Sequence, residues 1–217
     1  MADDILVRLY EPHDREAVRR ICCDTAERGE PVEGYFQDRE VVADLLTSYY
    51  TDYEPRSVWV AEHAGRVIGY LTGCLNSRRY WTIMAWKVAP RVMLKAIRRG
   101  DLWLRQTWRL LRTIVKTCLR GGFYRHIPSD LYPGHLHVNI EGEFRGHHVG
   151  SRLVERFCEQ AKATGLKGVY ASVRGDNPSG KGFFEQMGFT VLSRHLMIRP
   201  TEKEDQASYT VLYVKRF

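Results

Sequence analysis

Residues Phe144-Arg145-Gly146-His147-His148-Val149-Gly150-Ser151 stand between a short apolar run, Leu136-His137-Val138-Asn139-Ile140, and a stretch with Val149, Leu153, Phe157 and Ala161 at helical spacing. The first run reads as a strand and the second as an amphipathic helix. A glycine-bearing basic turn that opens a helix presents unpaired backbone N–H groups at the positive end of the helix dipole, which is a phosphate cradle. Arg145 adds a fixed positive charge. Gly146 and Gly150 let a ligand approach the backbone with no Cβ in the way. The turn is not a P-loop, because no Gly-Lys-Ser/Thr ending follows, and it lacks the Gly-x-Gly-x-x-Gly dinucleotide pattern. Alone, it also fits a tight strand-to-helix connection that holds no ligand.

A second segment lies some thirty residues on. Val169-Tyr170-Ala171-Ser172-Val173 reads as a strand, followed by Asn177-Pro178-Ser179-Gly180-Lys181-Gly182-Phe183-Phe184-Glu185-Gln186-Met187-Gly188-Phe189. Asn177 suits an N-cap, Pro178 the first helical position and Gly188 the stop, and Phe189-Thr190-Val191-Leu192 returns as a strand.

Together the two segments resemble the acyl-CoA-binding core of the GNAT N-acetyltransferase superfamily. Its first motif, Arg/Gln-x-x-Gly-x-Gly/Ala, is matched by Arg145 and Gly150. Its second, Asn-x-x-Ala/Gly-x-x-x-Tyr-x-x-x-Gly-Phe, is matched by Asn177, Gly180, Gly188 and Phe189. Three positions depart from the pattern. His148 replaces the central glycine, Phe184 replaces a tyrosine, and Gly142 replaces a proline. In many relatives that tyrosine protonates the departing CoA thiolate, which phenylalanine cannot do. Leu131-Tyr132-Pro133-Gly134-His135-Leu136-His137-Val138 also resembles a Tyr-Pro-Ala-His-Leu-His-Ile run of one GNAT subgroup, in which aspartate often stands at the position of Asn139.

The resemblance implies an α/β (α+β) GNAT fold. Its sheet is mixed, mostly antiparallel and of six to seven strands, with a splayed parallel pair at its centre and flanking helices. It implies acetyl-CoA (coenzyme A) as donor. The pyrophosphate would lie on Arg145, Gly146, His147, His148, Val149, Gly150 and Ser151, and pantetheine along Val138, Asn139 and Ile140. Asn177 and Gly180 would reach its arm, and Phe184 would pack near the thiol. The implied reaction is direct attack of a primary amine, on a small molecule or a peptide, in a ternary complex. The alternative is a CoA-binding regulatory module with weak or no catalysis.

His135, His137, Asn139 and Glu141 alternate, so they share one face of the strand. His137 is the first candidate for a base, since imidazole titrates near neutral pH, although a hydrogen-bonded structural histidine is the somewhat better reading there. Glu141 is the second. Tyr132 and Tyr170 are candidates to replace the missing phenolic acid.

The remaining elements fit this order. Ile5–Leu9 reads as a strand, and helices are predicted over about 14–28 and 38–49. A hairpin runs from Ser57-Val58-Trp59-Val60-Ala61-Glu62 through Ala64-Gly65 to Val67–Gly73, and Tyr209–Val214 is the last strand. The 217 residues suit a single domain. Five cysteines, with neither Cys-x-x-Cys nor metal-ligand spacing, read as reduced thiols in a cytoplasmic protein, and no metal is expected. Cys158 reads as a small buried hydrophobe. The acidic start Met1-Ala2-Asp3-Asp4 has no signal-peptide pattern.

An insert at about 78–125 stands outside this order. It holds thirteen Lys or Arg against one acid, Asp101, while the whole chain carries a net +7. The rest of the chain is therefore acidic. Arg105, Arg109, Arg112, Lys116 and Arg120 fall on one helical face, with Leu104, Trp108, Leu111, Val115 and Cys118 covering much of the other side. Such a helix either shows a solvated basic face or meets an anion. The anionic partners rank as an acidic acceptor, then an anionic membrane surface, then nucleic acid, for which no module is recognisable. Composition leaves the oligomeric state open.

Overall fold

The computed structural model describes residues 4–25, 38–100, 127–197 and 208–217. Among these residues seven strands form one sheet: β1 Ile5–Leu9, β2 Val58–His63, β3 Arg66–Cys74, β4 Gly134–Ile140, β5 Gly168–Arg174, β6 Thr190–Met197 and β7 Ser208–Arg216. Their order is β1-β2-β3-β4-β5-β7-β6. All neighbours are antiparallel except β4 and β5, which run parallel at the centre. This is the mixed sheet that the resemblance implies.

Helices cover both faces. On one side lie α1 Arg15–Thr25 and α2 Arg39–Tyr53, followed later in the chain by α3 Ser77–Ile83 and α4 Ala89–Arg98. Val18 and Ile21 of α1 and Tyr49 and Tyr50 of α2 bury against Val58, Val60 and Tyr70 of the sheet. On the other side lies α5 Val149–Ala163, whose buried stripe is Val149, Leu153, Val154, Phe157, Cys158 and Ala161. Phe157 presses directly on the backbone of β3. A Cβ at Gly73 would stand 2.1 Å from its ring, so glycine is required at that crossing. Truncating Phe157 to alanine should cost about 3–5 kcal/mol. The short α6 Pro178–Gln186 follows β5.

The caps explain the helix bounds. Asp38 caps α2 by accepting from the Glu40 and Val41 N–H groups. The helix runs four residues past the predicted end, to Tyr53, because Tyr50 and Thr51 are themselves buried. Pro55 then disfavours helical geometry just before it. Asn177 caps α6 as the sequence predicts, its Oδ1 accepting from the Gly180 N–H at 2.9 Å, and Gly188 ends it at φ 77°. The predicted end of α1 beyond Thr25 lies outside the described residues.

The first half of the basic insert is helical through Arg98, with one π turn over Met84–Val88 joining α3 to α4. The predicted basic face from Arg105 to Arg120 lies outside the described residues. Among the described residues no helix is long and apolar enough to cross a membrane.

Candidate active site

The parallel pair at the sheet centre is short. β4 and β5 pair at Gly134–Val169, His135–Tyr170 and Leu136–Ala171, and the pairing ends there. Beyond that point β4 stays bound to β3 through Ile140, and β5 to β7 through Arg174. Each strand follows its outer neighbour, so the two part as a wedge. The wedge opens into a cavity of about 570 Å³ lined by Leu136 to Ile140, Ser172 to Arg174 and the turn into α5.

The ladder fixes which amides face the gap. The Glu141 N–H donates to Ile68 O of β3 at 3.0 Å. Residues of the same parity, His137 and Asn139, therefore point their amides toward β3, and Val138 and Ile140 point theirs into the wedge. Arg145 supports this, since its Nε donates to Ile140 O at 3.1 Å from the wedge side.

The turn at the mouth has the geometry of a cradle. Gly146 sits at φ 83° and His148 at φ 60°, ψ 10°, where glycine is at ease and other residues are strained. The first bond within α5 runs from the Arg152 N–H to His148 O. The amides of Val149, Gly150 and Ser151 thus precede any intrahelical partner and open at the dipole's positive end. A Cβ at Gly150 would come 3.2 Å from the Phe183 ring, so the turn fits closely on α6. Arg145, Gly146 and His148 to Ser151 line the cavity, whereas His147 is exposed outside it. Asn177, Gly180 and Phe184 complete the far wall. Phe184 is buried among the rings of Phe183, Phe189 and Tyr213. The described lining carries Arg145 and Arg174, and Arg174 is ion-paired with Asp176 at 3.2 Å.

The polar row on β4 divides into three environments. His135 is buried, with Nε2 on the Tyr50 hydroxyl and Nδ1 on the Ser77 hydroxyl, each at 2.9 Å, so it holds α2 and α3 to the sheet. His137 is exposed and lines the cavity, its ring 6.3 Å from that of Tyr50. Asn139 lines it too, its Nδ2 donating to the Tyr70 hydroxyl at 2.9 Å. Glu141 turns away to Arg20 and Arg66, at 2.6 and 2.7 Å, and lies outside the lining.

Tyr132 and Tyr170 are likewise placed away from the cavity. Both are buried in a separate cluster with Leu212 and Val214. The described lining contains no tyrosine at all. Sequence reading missed Thr25 at the end of α1, Ser172 and Arg174 on β5, and Phe183 and Gln186 on α6, all of which line the cavity.

Among the described residues four cysteines, Cys22, Cys23, Cys74 and Cys158, are buried and form no disulfide. Burial pushes the Cys22 and Cys158 thiols up to about 11, which makes poor nucleophiles of them.

Comparison with known proteins agrees with this geometry. The model of the acetyltransferase (GNAT) family matches residues 109–189, which include the turn, α5, β5 and α6. Among solved structures, SsHAT is 24% identical with TM-score 0.71, over 98% of each chain. A Salmonella typhimurium protein determined with its cofactor acetyl-CoA is 15% identical, with TM-score 0.58 over 98% of this chain and 94% of that one. A Drosophila melanogaster polyamine N-acetyltransferase is 16% identical, with TM-score 0.59 over 99% and 100%. The chain therefore has the GNAT fold, with the sequence pattern of the acetyltransferase (GNAT) family across residues 109–189.

Proposed function

We propose that the chain is an N-acetyltransferase that takes acetyl-CoA in the β4–β5 wedge and transfers its acetyl group to a primary amine of a small molecule or peptide. The observation that carries this reading is that one cavity reaches both sheet faces. The amide cradle lies at one end, and His137 with Asn139 on the opposite side of β4. The Salmonella relative solved with acetyl-CoA adds support through its shared fold.

Acetyl-CoA brings a thioester carbonyl. Arg145 and the amides from Gly146 to Ser151 suit its pyrophosphate. The Val138 and Ile140 backbone suits the extended amide-bearing pantetheine arm by strand-like pairing. The Val138 N–H, fixed by the ladder, is the donor for negative charge developing on the thioester oxygen. An amine near pKa ~10.4 must lose a proton before attack, a cost of about 4–5 kcal/mol at neutral pH. His137 is the group on the acceptor side able to take that proton, directly or through water. The thiol, with pKa ~8.5, is a tolerable leaving group that water can protonate, so Phe184 does not stop the reaction.

One observation favours a second reading, a CoA-binding regulatory module: the described lining offers no tyrosine as acid.

Acetyl-CoA-dependent thiol release against a broad amine panel decides between them. Acceptor-dependent release is expected, with His137→Ala losing a near-neutral ionisation from the kcat/KM profile. An unchanged profile in that variant would remove His137 as base. Tight CoA binding with no release on any amine would favour the module.

A further inference from the structure

The segment from Ser77 to Gly100 carries more apolar surface than its packing uses. Its inner side is committed: Val88 packs into the core beneath α1 and α2, with Tyr80, Ile83, Met84 and Val92 against it. Outside, Trp86 is 80% exposed and Trp81 62%, and Met93, Leu94 and Ile97 are each about half exposed. Met93 and Ile97 are four residues apart in α4, which places them on one face, and Trp86 lies in the π turn just before that helix. Five large apolar side chains left this exposed within one short segment mark an interaction surface.

Its charge says what it meets. The segment has seven Lys or Arg and no Asp or Glu. Lys95 is matched inward to Glu40 and Asp44, and Arg99 to Asp38. These pairs use up the acids of α2 that lie closest. Arg79, Lys87, Arg91 and Arg98 remain exposed around the tryptophans. Arg91 also donates to the Tyr53 hydroxyl, and Lys87 lies over the Tyr53 ring, which leaves both charges at the surface. A second copy of the chain would bring like charges together, which opposes self-association through this face. Tryptophan beside Lys and Arg suits the headgroup–acyl boundary of a bilayer.

We propose that this face docks on an anionic lipid surface, with Trp81, Trp86, Met93 and Ile97 entering the boundary and Arg79, Lys87, Arg91 and Arg98 on lipid phosphates. The proposal is independent of acetyl transfer.

The test is co-sedimentation of the full chain with phosphatidylcholine vesicles, with and without phosphatidylserine. Binding is expected only with phosphatidylserine, and should weaken as salt rises. Arg98→Gln should weaken it about fivefold, the effect of one surface charge. Trp86→Glu, and the milder Trp86→Ser, should weaken it by more, with thermal unfolding unchanged. No binding to anionic vesicles at low salt would overturn the proposal. So would equal binding to neutral vesicles, or full binding by both Trp86 variants. Self-association abolished by Trp86→Glu, without lipid binding, would assign the face to a second copy instead.

Discussion

His148 gives a sharp test of how the cradle is built. It holds φ 60°, ψ 10° and makes no side-chain cap bond, so its imidazole does nothing for the turn that glycine would lose. For a residue with a Cβ this conformation costs about 1–2 kcal/mol. Glycine relieves that cost but adds about 0.5–1 kcal/mol of chain entropy in the unfolded state. The net for His148→Gly is a gain of about 0.5 kcal/mol, or about 1–2 °C in Tm for a chain of this size. His148→Val puts a β-branched residue in the same backbone, where the total cost reaches about 1–3 kcal/mol, and should lose about 1 kcal/mol relative to His148. In the same samples, calorimetric titration of acetyl-CoA should show His148→Gly within about twofold of wild type and His148→Val distinctly weaker, because the amides and not the imidazole make the site. A His148→Gly protein destabilised by more than about 1 kcal/mol, or binding about tenfold more weakly, would refute this reasoning.

Two further outcomes test the scaffold. Tyr50→Phe removes the hydroxyl on Nε2 of buried His135 and should cost about 1–3 kcal/mol in urea unfolding. An unchanged midpoint would mean that the His135 bridge does not hold α2 to the sheet. Acid unfolding should follow the carboxylates of the α1–α2 side. Burial opposes ionisation of Asp14 and Asp44, yet Arg8 on the first and Lys95 with Arg19 on the second hold both below the usual range. Their stability is therefore complete above the unfolded pKa near ~4 and is lost as pH falls through the lower folded values. Stability that stayed flat between about pH 5 and 2 would contradict these pairs, and Asp44→Asn should make the acid slope shallower.

Much of the fold was legible because local signals agreed with the tertiary result. Asn177, Pro178 and Gly188 mark α6 by cap chemistry that needs no partner. The buried stripe from Val149 to Ala161 announces both α5 and its inner face. The cradle was equally readable, since glycine and arginine at a helix start carry their chemistry in sequence.

The wedge itself was not readable. Nothing in Leu136 or Ala171 says that pairing stops there, because the stop is set by how β3 and β7 hold the two strands. For that reason Ser172 and Arg174 were missed. Alternation put His135, His137, Asn139 and Glu141 on one face correctly, but burial then separated them. His135 went to Tyr50 and Ser77, Glu141 to Arg20 and Arg66, and only His137 and Asn139 reached the cavity. Arg20 and Arg66 are distant in sequence from Glu141, so no local pattern reveals that pairing. Tyr132 and Tyr170 lie outside the cavity lining for the same reason. Aromatic residues beside a central strand are drawn to the nearest core, here with Leu212 and Val214.

The most direct measurement is residue-resolved amide hydrogen exchange with and without saturating acetyl-CoA. New protection is expected at Val138 and Ile140, whose amides face the wedge, and at Val149, Gly150 and Ser151 on the cradle. Asn139, whose amide faces β3, should change little. Saturating acetyl-CoA that leaves Val138 and the Val149–Ser151 amides unprotected would contradict the central claim that this wedge is the acetyl-CoA site.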